Sequence, residues 1–420
     1  MNIEEYIESI FPVNIATPLI ESLSKPAIHA ALLNPKKISD DHFLELFPLA
    51  QKHPLVPHAF IYNPAIYDLG KTIYHDGGAF YLQDPSAMSV ANFFQYEAND
   101  VILDFAAAPG GKTIQAAMRL NDKGTIISND IDGLRALTLS KNVERMGLGN
   151  VIVTNNDLQN VDFKNLLFDK IFLDAPCSGS GMLRKSQAMH DDWSLAKVLR
   201  FADIQKKLII RAFDLLKPGG KLLYSTCSFS YEENEAIVEH LLKQRAAIIL
   251  PLTTEEYVHH SPKIKEAIYF LPSIFPGEGQ FVACLQKPNE SSVNHFISPE
   301  CHSFFNYPLK GQLLKRNDEF YLLNPAIEIS KSFNILRSGV KVAVARGDHL
   351  LPDHHLAHYL DWENSIELTA DEMKKYRHGD TLPRQIANGF YVVSYDHINL
   401  GWVKAVDGIL KNHYPKGLRH

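Results

Sequence analysis

VILDFAAAPGGKT, Val101 to Thr113, is a short apolar run that ends in small residues, a proline, two glycines and a lysine. An apolar segment of this length bounded by turn formers reads as a buried strand. KTIQAAMRL, directly after the glycines, reads as a helix. Working outward, TIISN (Thr125 to Asn129) is a second strand, and the stretch up to Met146 is a helix closed by Gly147. VIVT (Val151 to Thr154) and KIFLD (Lys170 to Asp174) follow, then a long helix to Leu216, the stop KPGG and the strand LLYS. Strands alternating with helices at this spacing predict an α/β fold with a doubly wound, Rossmann-like parallel sheet. Ligands of such sheets bind beyond the carboxyl ends of the strands, and each motif below stands at one of those ends.

The chain has 420 residues, 45% hydrophobic and 21% charged, which suits two or three globular domains. Its net charge of −6 announces no nucleic-acid binder, so a partner such as RNA would need locally gathered basic residues. The opening MNIEEYIESIF lacks the features of a signal peptide. No apolar run approaches the roughly 20 residues of a membrane span. Four cysteines without a CxxC pair argue against a disulfide framework or a metal site and for a reducing cytoplasm. Residues 1–95 are expected to form an N-terminal helical extension packed on a catalytic domain of residues 96–288. The polar stretch QKPNESSVNH then leads into two small C-terminal modules, 289–358 and 359–420.

Two sharp readings compete for the first loop. AAAPGGKT (Ala106 to Thr113) satisfies a relaxed phosphate-loop pattern, with KIFLD as a magnesium-binding strand. Alternatively, Ala106, Ala107, Ala108, Pro109, Gly110 and Gly111 let the backbone approach the adenosyl and methionine parts of a methyl donor. Pro109 has no N–H, which weakens a cradle of consecutive amide donors. Asp130 ends the second strand, where a carboxylate can accept both ribose hydroxyls, and Asp157 after the third strand suits the adenine amino group. A phosphate-loop enzyme needs neither acid, so the methyl-donor reading is favoured. The plain alternative is that Gly110 and Gly111 merely make a tight turn.

Asp174-Ala-Pro-Cys177 follows one strand and Ser225-Thr-Cys227-Ser follows the next. In a parallel sheet these loops open onto the same rim. A buried cysteine is usually a small hydrophobe, which fits Cys284 in FVACL, and Cys301 reads as incidental. Cys177 and Cys227 differ because Pro, Ser, Gly and Thr surround them. A thiol suits methylation of cytosine carbon 5, a poor nucleophile: attack at carbon 6 creates an enamine whose carbon 5 can take the methyl group. Asp174 is the candidate to hold the ring at N3, and Lys112 to favour the thiolate or balance developing charge. A second thiol or base must then assist loss of the carbon-5 proton and rupture of the adduct.

Together, DFAAAPGGKT, DAPCSGSG and YSTCS followed by EENE resemble the Sun-type RNA (cytosine-5) methyltransferases from about Gly78 to Leu285. LGWVK (Leu400 to Lys404) and KNHYPKGLR (Lys411 to Arg419) resemble the tail of that family's bacterial ribosomal branch. The resemblance implies a class I methyltransferase sheet with S-adenosylmethionine as cofactor. It makes Cys227 the nucleophile and Cys177 the group that promotes release. Ala106 to Lys112, Asp130, Asp157 and Asp174 become donor contacts, and Arg184 and Lys185 phosphate contacts. It further implies PUA-like RNA-binding modules at the C-terminus, 16S ribosomal RNA or the small subunit as partner, and a monomer with no membrane attachment. The chain departs from the family at Tyr269, where an arginine is usual, and at Gly277 to Phe281, which replaces an aspartate-glycine-aromatic turn.

The tail GWVKAVDGILKNHYPKGLRH interleaves aromatics with Lys404, Lys411, Lys416 and Arg419, a pattern suited to RNA backbone and unstacked bases. His349, His354, His355 and His358 are read as solvated or hydrogen-bonded on a surface loop after Pro352 rather than as metal ligands. Three rival readings are a DNA cytosine-5 methyltransferase, a phosphate-loop ATPase and a non-catalytic RNA-binding assembly factor. A DNA enzyme typically uses the P-C cysteine as nucleophile. A scaffold has no need of Cys177, Cys227, Asp174 and Lys112 together.

Overall fold

The computed structural model describes residues 2–185, 190, 192–253, 256–289 and 296–419. The side chain of Lys185, one expected phosphate contact, and the linker residues 290–295 lie outside the described residues.

Five strands form the parallel heart of a ten-stranded sheet: Val151–Thr154, Thr125–Asn129, Val101–Asp104, Phe168–Asp174 and Leu216–Thr226, side by side in that order. Gln280–Gln286 extends the sheet antiparallel to Leu216–Thr226. Side chains alternate across a strand, so Val101, Leu103 and Phe105 enter one apolar core while Ile102 enters the other. Both faces are covered, which is why these strands read as unbroken apolar runs. The helices Gly111–Leu120 and Gly133–Met146 cover one face, and Leu195–Asp214 and Glu235–Gln244 cover the other. The long helix stops at Asp214 rather than Leu216, because Leu216 already pairs with Phe168 in the next strand.

Gly147 closes its helix in the left-handed region, at φ +69°. A Cβ there would stand 2.2 Å from the His358 carbonyl oxygen, so the glycine also permits close packing of a C-terminal helix.

The N-terminal part carries the helices Ile3–Ile10, Val13–Ser22 and Asp40–Leu46, but it also has a four-stranded antiparallel sheet where helices alone were expected. Its strands His29–Leu33, Ala59–Tyr62 and Phe80–Gln83 are only four or five residues long. Such short runs show too little alternation to separate strand from helix.

The C-terminal part contains two five-stranded sheets, one of strands between Glu300 and Pro352 and one between Ile366 and Asn412. Between strands of the first, Ile335–Ser338 leaves to pair antiparallel with Val151–Thr154 at the edge of the large sheet. Trp402, Val392, Leu356 and Ala357 join the two modules in one apolar cluster.

His354, His355 and His358 lie on the helix His354–Tyr359, with His355 and His358 buried. This corrects the surface-loop expectation: the helix is packed between Trp402, Tyr414 and the end of the Gly133–Met146 helix. The His354 and His358 rings meet at 3.0 Å.

One cation fastens this junction. Arg337 donates from Nε to Ser140 Oγ at 2.9 Å, from Nη2 to the Glu144 carboxylate, and contacts His355 Nδ1 at 2.6 Å. Removing one partner of a largely buried charge pair strands the other. Arg337→Ala is therefore expected to lower stability by about 2 kcal/mol in urea unfolding, and to make the C-terminal modules more sensitive to limited proteolysis.

Candidate active site

The sheet delivers all four expected catalytic residues to one rim. Lys112 is the second residue of the helix Gly111–Leu120, Asp174 ends its strand, and Cys177 and Cys227 follow neighbouring strands. The turn that aims Lys112 needs Gly110, whose φ is +120°.

The geometry is tight. Lys112 Nζ stands 2.7 Å from Asp174 Oδ2, with the lysine buried and the aspartate more open. Asp174 Oδ1 accepts from Ser225 Oγ at 2.7 Å and from Gln280 Nε2 at 3.1 Å. Three donors therefore hold the carboxylate in one orientation. Cys177 Sγ and Cys227 Sγ are unlinked and 2.9 Å apart. The Cys177 thiol is held well above the usual thiol range, first by its contact with Cys227, then by burial and the charges of Cys227, Glu233 and Asp174.

Two cavities open beside this cluster. The smaller, about 300 Å³, is lined by Gln83, Asp84, Asp104, Lys112, Asp174, Cys227 and Gln280. The larger, about 560 Å³, runs along Asp130, Ile131, Asp157 and the Asp174–Gly179 segment to Cys177 and Cys227. Ala106, Ala108, Pro109, Asp174, Met182 and Cys227 line both, so the two meet at Cys227. Ala107 also lines the smaller one.

Asp130 is buried, and its oxygens accept from Ala108 N at 3.3 Å and Asp132 N at 3.0 Å. Arg135 bridges back to the Ala108 carbonyl at 2.7 Å, which ties the first loop to the second strand's end. Asp157 accepts from Gln159 N at 3.1 Å and Asn160 Nδ2 at 2.7 Å, closing its own turn at the cavity wall.

Three further residues escaped the sequence reading. Asp104 accepts from Thr113 Oγ1 at 2.6 Å, while its Oδ1 is buried with no hydrogen-bond partner among the described residues. Burial pushes this carboxyl up to about 7. Glu233 is buried between the two cysteine loops. Gln280 comes from the segment that replaces the family's usual turn, and it reaches Asp174. Asp104 opens a quoted motif and Glu233 lies in EENE, but neither spacing reveals which way the side chain points.

Arg184 corrects an expectation. Its side chain is only 3% exposed, donating to Glu278 Oε1 at 3.2 Å and to the Gly277 carbonyl at 2.5 Å. It braces the loop that carries Gln280 and is not free for phosphate. Tyr269, at the family's arginine position, is fully buried, donates to Glu235 Oε2 at 2.9 Å and accepts from Asn234 Nδ2 at 3.2 Å. It thus replaces a cation with a neutral internal strut.

Comparison with known proteins fits this geometry. Residues 91–286 match the family model described as 16S rRNA methyltransferase RsmB/F, and residues 363–420 match the one described as Methyltransferase RsmF PUA domain. Ribosomal RNA small subunit methyltransferase F of Aeromonas salmonicida is 32% identical, covering 98% of this chain and 95% of its own. The protein of the same name from Vibrio campbellii is 30% identical, over 99% and 96%. Among solved structures, a methyltransferase homolog protein from Pyrococcus horikoshii superimposes with TM-score 0.58 at 29% identity, covering 67% of this chain and 93% of its own. NSun6 from Pyrococcus horikoshii with SFG gives TM-score 0.63 at 22% identity, over 68% and 98%. The chain belongs to the RsmB/F family of 16S rRNA methyltransferases: it is an RNA methyltransferase with a Rossmann-like catalytic sheet and a C-terminal PUA module.

Proposed function

We propose that this enzyme forms 5-methylcytidine in 16S ribosomal RNA, with Cys227 as nucleophile, Cys177 as the release group and S-adenosylmethionine as methyl donor. The observation that carries the reading is the pair of unlinked thiols 2.9 Å apart at the junction of two cavities, beside a carboxylate held by a lysine.

The residues present fit the cofactor. The larger cavity offers the Asp130 and Asp157 carboxylates to ribose and adenine, and the glycine turn admits the donor's backbone-facing edge. In the smaller cavity Asp104 Oδ1, buried and with no hydrogen-bond partner among the described residues, suits the ammonium of the methionine part. When bound, S-adenosylmethionine supplies an electrophilic methyl group at the cavity junction.

A flipped or already unstacked cytosine then enters where the two cavities meet, against Cys227 and Asp174. Cys227 Sγ bonds to carbon 6 as its thiol proton passes by way of Asp174 to ring N3, and the electron pair displaced from the C5–C6 double bond makes carbon 5 nucleophilic. Asp174 holds the ring at N3, while Lys112 fixes Asp174 and balances charge that develops on the ring. Once carbon 5 carries the methyl group, its proton must go to a base and the C6–Sγ bond must break. Cys177, in contact with Cys227, stands where release can be assisted. The basic, aromatic tail module would hold RNA outside the pocket.

Expressed in cells and run on denaturing gels, Cys177→Ala is expected to carry a ribonuclease-sensitive band of raised mass. Cys227→Ala and the double variant should lack it. An adduct on Cys227→Ala instead would exchange the two roles and reopen the DNA-type reading. For the cofactor site, Asp130→Asn is expected to weaken S-adenosylmethionine binding by about tenfold or more in calorimetric titration. Unchanged affinity would remove Asp130 from the site.

A further inference from the structure

Glu233 stands on a short turn, Tyr231–Glu233, and its residue is 0% exposed. Its Oε1 accepts from Ser178 N at 2.7 Å and from Gln205 Nε2 at 3.3 Å. Its Oε2 accepts from Ser178 Oγ and from Ser228 Oγ, each at 2.5 Å. Ser178 follows Cys177 and Ser228 follows Cys227.

The residues before each cysteine are tied into the same network. Gln205 also donates to the Pro176 carbonyl at 2.8 Å. Asn234, next to Glu233, accepts from Thr226 Oγ1 at 2.5 Å and donates to the Ser228 carbonyl at 2.8 Å. Both flanks of both cysteines are thus fastened around one buried carboxylate. A backbone N–H and an amide NH₂ can only donate, so the group facing them must accept on that side. Burying a carboxylate is costly unless such donors converge on it.

We propose that Glu233 is a positioning residue that clamps the two cysteine loops into one unit, keeping Cys177 against the Cys227–cytosine adduct until the product is released. The clamp rests on the proposed roles of Cys227 and Cys177. It acts on the release step because attack by Cys227 needs only its own loop, whereas release needs the two loops in register. Besides contact with Cys227 and burial, the nearby Glu233 charge also opposes ionisation of Cys177.

Glu233→Gln is the variant of choice. Its amide oxygen can replace Oε1 opposite Ser178 N and Gln205, so the fold is kept, but its NH₂ cannot accept the two charged hydrogen bonds that Ser178 Oγ and Ser228 Oγ, one from each loop, give to Oε2. Expressed in cells beside wild type and Cys177→Ala, it is expected to accumulate at least about tenfold more ribonuclease-sensitive adduct than wild type, the scale of one lost charged hydrogen bond. Glu233→Gln with Cys177→Ala should carry no more adduct than Cys177→Ala alone, since both act on the same step. A Glu233→Gln protein with wild-type melting temperature and no adduct, while Cys177→Ala is trapped, overturns the clamp and leaves the proposed function standing. Absence of adduct in Cys177→Ala overturns the proposed roles and, with them, the clamp's part in release; whether Glu233 acts on Cys177 at all is then decided by a second measurement. Alkylation of Cys177 by iodoacetamide is followed against pH in purified Cys227→Ala protein. Glu233→Gln should move the midpoint to lower pH, because a neighbouring negative charge is gone. An unchanged profile overturns the clamp.

Discussion

In the parallel pairing of Phe168–Asp174 with Leu216–Thr226, Asp174 stands opposite Ser225, and both strands release their loops at the same rim. The remaining site geometry depends on this register. It places Ser225 Oγ on Asp174, it sets the Cys177 loop beside the Cys227 loop, and it lets Gln280 arrive from the antiparallel neighbour to complete the hold on Asp174. A slip of one residue would turn every side chain to the opposite face. The apolar faces on both sides of the sheet guard against that slip, because each strand residue has a core to lose.

Charge within the site is divided unevenly, and the division has a chemical sense. Lys112 is buried against Asp174, so this cation is committed to one carboxylate and not spent on solvent. Of two further buried carboxylates, Asp104 keeps an oxygen without a hydrogen-bond partner among the described residues, and Glu233 is saturated by donors from both cysteine loops. A low-dielectric setting strengthens each such contact and penalises each unmade one. The same logic governs Arg184, which supports the Gly277–Gln280 loop from within. Tyr269 takes the place of a family arginine without loss of the strand, since its hydroxyl finds Glu235 and Asn234.

The strand–turn–helix order of the catalytic sheet was legible because buried parallel strands read as apolar runs between glycine and proline signals. VILDF and KIFLD both became strands where the pattern placed them. The short N-terminal strands were not legible, since four or five residues carry too little periodicity. The burial of the histidines before and after Leu356 was not legible, because the sequence shows the polar side chains and not the neighbours that cover them. Cys177, Cys227, Asp174 and Lys112 stood out because their loops hold few apolar residues, so a core role explained them poorly.

By itself, the sequence determined the order of strands and helices in the catalytic sheet, the identity of the groups at each of its strand ends, and the family to which those motifs belong. These are local properties, set by periodicity, turn chemistry and residue type over ten or so positions. Tertiary structure alone decided that the two thiols touch, that Arg184 faces inward, that Ile335–Ser338 joins the catalytic sheet, and that Glu233 reaches both cysteine loops. Each of these depends on which distant segments pack together and on the direction of a side chain. Those are fixed by the burial of surfaces far apart in the chain, and no local pattern encodes them.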